Sequence, residues 1–222
     1  MAKRSKPMDV RAALLKAAFD AAIRDGWRDV RIAEVAKAAG LSVADAYKVA
    51  PDRPSLLDVY FDQIDARVAE EMSDEPAADG VPWREIAFDG LMLRFDAMLK
   101  DRDALRVVYF DDRRDIMALA RTARRTRRAL ERILEAAGFI DDSIGLRLGA
   151  VALMPFYAQV YRTWLNDEAD QARTMAALDK ALARLERWTS RRSPRKPRRD
   201  DEAIEPEEAP PRDAPPTNGS TH

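Results

Sequence analysis

Residues 37–56 read KAAGLSVADAYKVAPDRPSL. A helix that runs into Gly40, and a second one capped by Ser42, give the layout of a helix-turn-helix. Such a unit needs a small residue where its helices cross, a glycine in the turn, and apolar residues tying the second helix to the first. Ala36, Gly40, Leu41, Ala46 and Val49 have that spacing. The rest of the stretch is less typical of a DNA reader: an acid at Asp45, alanines at Ala46 and Ala50, and prolines at Pro51 and Pro54.

Working outward, helical periodicity runs along the chain and strand-like alternation is nearly absent, so the spacing predicts an all-α fold. A first helix is expected over about Met8–Asp25 and ends at Gly26, where a left-handed residue is tolerated. Short helices follow over about Arg31–Ala39 and Ser42–Val49, and a longer one over Ser55–Met72. Ser73–Pro82 (SDEPAADGVP) has linker composition. Further helices are expected over Trp83–Lys100, Ala104–Asp111 and Arg114–Ala137. Asp141, Asp142 and Ser143 would cap one reaching Trp164, and Asp167–Trp188 would form the last.

Composition excludes several chemistries. Among 222 residues there is no cysteine, and the single histidine is His222, the final residue. Thiolate sites, Ser-His pairs and histidine metal clusters therefore fall away. With no glycine-rich phosphate loop either, neither an enzyme nor a cofactor is expected. Residues 1–51 carry ten Lys/Arg against six acids, whereas residues 52–80 carry two against nine. A basic end beside an acidic segment suits a nucleic-acid-facing module. The longest uncharged run, Leu148–Tyr161, has 14 residues and contains Pro155, which is short for a bilayer. No apolar core follows the basic start MAKRSKPMDV, so a soluble, cytoplasmic protein is expected.

The long first helix, the Gly26-Trp27 pair and RIAEVAKAAGLSVADAYKV resemble the N-terminal part of TetR-family transcriptional regulators. Gly26, Val35-Ala36, Ala39-Gly40, Leu41-Ser42, Tyr47 and Leu56 carry the likeness. It implies a TetR-like architecture: an N-terminal three-helix head plus a C-terminal helical bundle. The chain would divide into a basic arm (1–7), a DNA-binding unit (8–50), a ligand-binding and dimerisation part (51–190) and a disordered tail (191–222). Within the third part, 51–72 would be a connecting helix and 73–82 a linker. Proline-rich and poor in apolar residues, the tail cannot bury enough surface to order itself.

The resemblance also implies roles. Ser42, Ala44, Asp45, Tyr47 and Lys48 would face DNA, and Arg53 would stand where the family has a phosphate-binding lysine. Arg31 occupies the position of a threonine that caps the second helix and meets phosphate, and Val49-Ala50 replaces a Tyr/His-Phe pair. A homodimer would form through Val160, Trp164, Met175, Leu178, Leu182 and Leu185. Phe88, Met92, Phe95, Tyr109, Met154, Tyr157 and Tyr161 would line a pocket for an apolar small molecule. GWRDVRIAEVAKAAGLSVADA also resembles a lipid-binding accessory family of coenzyme Q biosynthesis that shares this fold. That likeness implies an isoprenoid lipid and a membrane contact.

One further feature comes from periodicity alone. Arg121, Arg124, Arg125, Arg128 and Arg132 fall within an arc of about 100° on one helix. Ile116, Leu119, Ala123, Leu130 and Leu134 would then face the core. A single-signed outer face can be plain solvated surface, or a peripheral contact with anionic lipid along Arg121–Arg132.

Overall fold

A computed structural model describes residues 7–74, 77–78, 80–140 and 142–190. The tail beyond 190, most of the basic arm and the Asp141 cap lie outside the described residues. Every regular element among the described residues is helical: α1 (Pro7–Asp25), α2 (Ile32–Ala38), α3 (Val43–Val49), α4 (Arg53–Asp74), α5 (Trp83–Met98), α6 (Arg102–Asp112), α7 (Ile116–Ala136), α8 (Ser143–Trp164) and α9 (Ala172–Ser190). Short 3-10 turns at Trp27–Asp29 and Leu99–Asp101 complete it.

Local chemistry sets most of the boundaries. Ser42 accepts from Asp45 N at the start of α3, Asp115 from Met117 N and Ala118 N at α7, and Asp142 from Gly145 N at α8. Gly40 takes φ 68° in the α2–α3 turn, a conformation that a β-carbon disfavours. The last helix begins five residues later than periodicity suggests. Asp167 binds Thr174 N, Thr174 Oγ1 and Arg173 Nε, and Gln171 adopts φ 55°, so 167–171 form a capping turn.

The first three helices pack around Leu14, Ala18, Trp27, Val35, Ala36 and Ala46. In the remainder, α8 packs against α7 and α9, while α4 lies on α5 and α7. Phe95 sits between Tyr157 and Trp164 at ring separations of 5.6 and 5.5 Å. By length and composition α8 could cross a membrane, but Leu153, Tyr157, Val160 and Trp164 on one of its faces are in this core.

Two expectations need correction. Val160, Trp164, Leu178, Leu182 and Leu185 are buried within the chain itself, and of the expected dimer residues only Met175 is exposed. Apolar spacing picked out the seam between α8 and α9 rather than an outer face. The exposed apolar row on α8 is Ile144, Leu148 and Val151. On α7, Leu130 and Leu134 are buried as expected, but Ile116 is 80% and Leu119 48% exposed. The arginine stripe runs beside a row of acids: Arg121 approaches Asp52, just before α4, at 3.9 Å, and Arg125 and Arg132 approach Asp58 and Asp65 of α4 at 2.7 and 3.9 Å; of the three only Arg125 is largely covered. Arg121, Arg124, Arg128 and Arg132 are all exposed.

Candidate nucleic-acid interface and body cavity

The second helix of the helix-turn-helix layout is α3. Ala46 turns inward onto the core, and Val43, Ala44, Asp45, Tyr47 and Lys48 are left on the outer face. Ser42 Oγ donates to Asp45 Oδ2 at 2.7 Å, and Lys48 Nζ meets Asp45 Oδ1 at 2.8 Å. The acid that the sequence sets toward DNA is thus held by its own helix. Arg31, exposed at the cap of α2, makes no side-chain capping bond.

Arg53 departs from its expected role. Its Nη1 donates to the carbonyls of Arg28 (2.6 Å) and Trp27 (3.3 Å), and its guanidinium lies 5.6 Å over the buried Trp27 ring. The side chain ties the start of α4 to the turn after α1 instead of reaching outward.

That same turn joins the three-helix unit to α6. Gly26, at φ 94°, lets the chain swing so that Trp27 N donates to Asp111 Oδ2 at 2.7 Å. Arg28 Nη2 and Nε donate to the Asp111 carbonyl at 2.7 and 3.1 Å.

Next to this joint a cavity of about 320 Å³ lies between α4, α5, α6, α7 and α8. Of the residues expected to line a pocket, Tyr109, Met154, Tyr157 and Tyr161 border this cavity. Phe95 belongs to the core, Met92 packs against that core, and Phe88 borders a separate groove between α5 and α9. Periodicity missed Leu57, Phe61, Leu105 and Val108, along with the polar wall residues Arg94, Asp112 and Arg125. An arginine within a helix reads as surface unless its partner is known. Here the partner is Asp65, whose carboxylate meets Arg94 Nε at 2.8 Å.

Two guanidinia, Arg94 and Arg125, each lie 5.3 Å from the Phe61 ring. Burial raises the pKa of the Asp112 carboxyl, and Arg53 and Arg125 oppose that only in part. Burial likewise pushes the Tyr161 and Tyr157 hydroxyls up, so both stay protonated near neutrality. The wall is mainly apolar with a few convergent polar groups, the usual make-up of a small-molecule site.

No protein-family model and no curated protein matches the chain. Solved structures do. A TetR transcriptional regulator from Nitrosomonas europaea is similar at TM-score 0.64 and 22% identity, covering 82% of this chain and 99% of that one. A TetR regulator from Rhodococcus sp. RHA1 is similar at TM-score 0.57 and 18% identity, covering 82% and 97%. Thermus thermophilus FadR, a TetR-family repressor in complex with lauroyl-CoA, gives TM-score 0.56 and 19% identity over 79% and 92%. The fold is TetR-like.

Proposed function

We propose that the protein is a transcriptional regulator that binds DNA through α3 as a homodimer and responds to an apolar ligand in its body cavity. The observation that carries this reading is the outer face of α3. Ala44, Tyr47 and Lys48 project from a glycine-turned helix pair on a TetR-like fold. Ser42 and Arg31 would add contacts beside them. Arg53 would hold the head together instead of touching phosphate.

Two heads placed in successive major grooves require a spacing of roughly 34–36 Å and a two-fold interface. The exposed row Ile144, Leu148 and Val151 of α8, with Met175 of α9, suits that interface. The cavity would act on the heads through the joint. Asp112 lines it, and the adjacent Asp111 holds Trp27 and Arg28. A regulator of this kind would work in the cytoplasm and perform no catalysis.

Fluorescence anisotropy on labelled DNA from upstream of its own gene, with scrambled competitor at two salt concentrations, tests this. Binding should survive competitor and weaken with salt. Tyr47→Ala should cost about 1–3 kcal/mol, and Lys48→Ala should lower the salt slope by about one. Leu148→Glu should give a monomer by light scattering.

A second reading is supported by the internal use of Asp45 and Arg53. A lipid-binding accessory protein of the coenzyme Q type would keep this fold with a silent reading helix. Absence of specific DNA binding would favour it, with an isoprenoid lipid as the cavity's ligand.

A further inference from the structure

The cavity holds an ionic group with unused capacity. Arg94 is only 3% exposed and borders the cavity. A guanidinium has five N–H donors. Nε serves Asp65 at 2.8 Å and Nη1 serves the Tyr157 hydroxyl at 2.5 Å. Among the described residues no acceptor takes the other three.

Tyr157 is in a similar position. Its hydroxyl oxygen accepts from Arg94, and no acceptor among the described residues receives its proton. Two adjacent buried groups therefore have donors to spare, in surroundings where an unmet donor is costly.

Arg94 meets the buried carboxylate of Asp65 at 2.8 Å, and the exposed Arg132, which does not line the cavity, lies 3.9 Å from the same carboxylate. Arg125 and Asp58 balance each other at 2.7 Å. Asp112, the one acid on the wall, is followed by the exposed Arg113 at the rim. A head group with two acceptor oxygens complements the spare donors of Arg94 and Tyr157, and a guanidinium fork matches a carboxylate in shape. Leu57, Phe61, Leu105, Val108 and Met154 form an apolar stretch of the wall that suits an apolar body. A volume of about 320 Å³, at roughly 30 Å³ per non-hydrogen atom, the share of a liquid water, takes about ten such atoms.

We propose that the cavity binds a compact monocarboxylic acid of about ten non-hydrogen atoms, its carboxylate on Arg94 and Tyr157 and its apolar part against Phe61, Leu105 and Met154. This rests on the reading of the body as the ligand-binding part of a regulator, and names the class of ligand.

Calorimetric titration of the full chain with sodium octanoate at neutral pH tests it, with octan-1-ol and octylamine as head-group controls. Octanoate should bind at least about tenfold more tightly than either control. Tyr157→Phe removes one donor at nearly constant volume and should weaken octanoate about tenfold while leaving octan-1-ol unchanged. Arg94→Lys keeps a charge for Asp65 but loses the fork, and should abolish the preference for the acid; circular dichroism checks that it folds.

Equal or tighter binding of octan-1-ol, preference for octylamine, indifference to Tyr157→Phe, or no octanoate binding would each overturn the assignment. DNA binding is scored separately on the same protein. Octanoate binding with the expected selectivity but no DNA binding would support the site and sink the regulator. DNA binding with no preference for the acid would do the reverse.

Discussion

Arg94→Met isolates the most consequential ion pair in the body. Arg94 and Asp65 are 3% and 9% exposed and meet at 2.8 Å. Removing the guanidinium leaves Asp65 inside the core with only Arg132, 3.9 Å away and itself exposed. An uncompensated buried charge of this kind costs about 3–5 kcal/mol. For a chain of this size, each kcal/mol moves the melting temperature by about 2–4 °C, so a fall of about 6–20 °C is expected. The double variant Asp65→Leu/Arg94→Met removes both charges and should recover most of the loss, since an apolar pair of similar volume is often neutral there. Urea unfolding followed by circular dichroism on wild type, both singles and the double closes the cycle. A single variant that costs less than about 1 kcal/mol, or a double as unstable as the two singles added together, would refute the pairing as the organiser of this region.

Asp167 gives a pH dependence. Desolvation raises its carboxyl, but hydrogen bonds from Thr174 and Arg173 outweigh that and hold it at about 2. Its contribution is full above about pH 4, the ordinary carboxylate value, and disappears as pH falls through about 2. In urea titrations, Asp167→Asn should therefore be less stable than wild type at pH 5 and converge with it near pH 2. Asp111→Ala cuts the bond to Trp27 N while leaving the cavity wall in place; ligand should still bind by calorimetry yet lose most of its effect on DNA affinity. Arg53→Ala removes two carbonyl contacts and the stack on Trp27. It should destabilise the protein by about 1–3 kcal/mol in urea melts and leave the salt slope of DNA binding unchanged. A slope lowered by one with unchanged stability would instead make Arg53 a phosphate contact.

Much of the fold was legible because its signals are local. Gly26, Gly40, Ser42 and Asp142 terminate or start helices by backbone chemistry that a sequence displays directly. What failed was assignment of faces. The apolar period on α7 is real, but its first half borders the cavity: Leu119, Thr122, Ala123 and Thr126 face open volume rather than packed side chains. Ile116 is left 80% exposed among the described residues. On α8 and α9 the same periodicity describes an inner seam and an outer one, and only packing separates Leu182 from Leu148. Four aromatic or methionine residues of the cavity were found by type. Arg94 was not, because its burial depends on Asp65, 29 residues away.

Arg53 and Asp45, beside and on α3, show how a charged side chain can be engaged within its own chain. The resemblance would put Arg53 where a phosphate-binding lysine stands, yet its Nη1 and the face of its guanidinium are engaged on the Trp27 turn, while Nε has no partner among the described residues. Lysine has no planar fork to stack on an indole, so the arginine brings a structural option that a lysine in its place would lack. Asp45 looks like the opposite case, an acid that ought to repel DNA. It is held by Ser42 and Lys48, and the Lys48 pair is 76% and 52% exposed at the side chains. Exposed pairs of this type are worth about 0.3–0.5 kcal/mol. A phosphate that released counterions on meeting Lys48 would outcompete so weak a bond. The acid therefore lowers affinity without closing the surface. If the proposed DNA binding holds, specific recognition would fall on Tyr47 and the short side chains beside it, whose base-edge contacts an operator would have to fit.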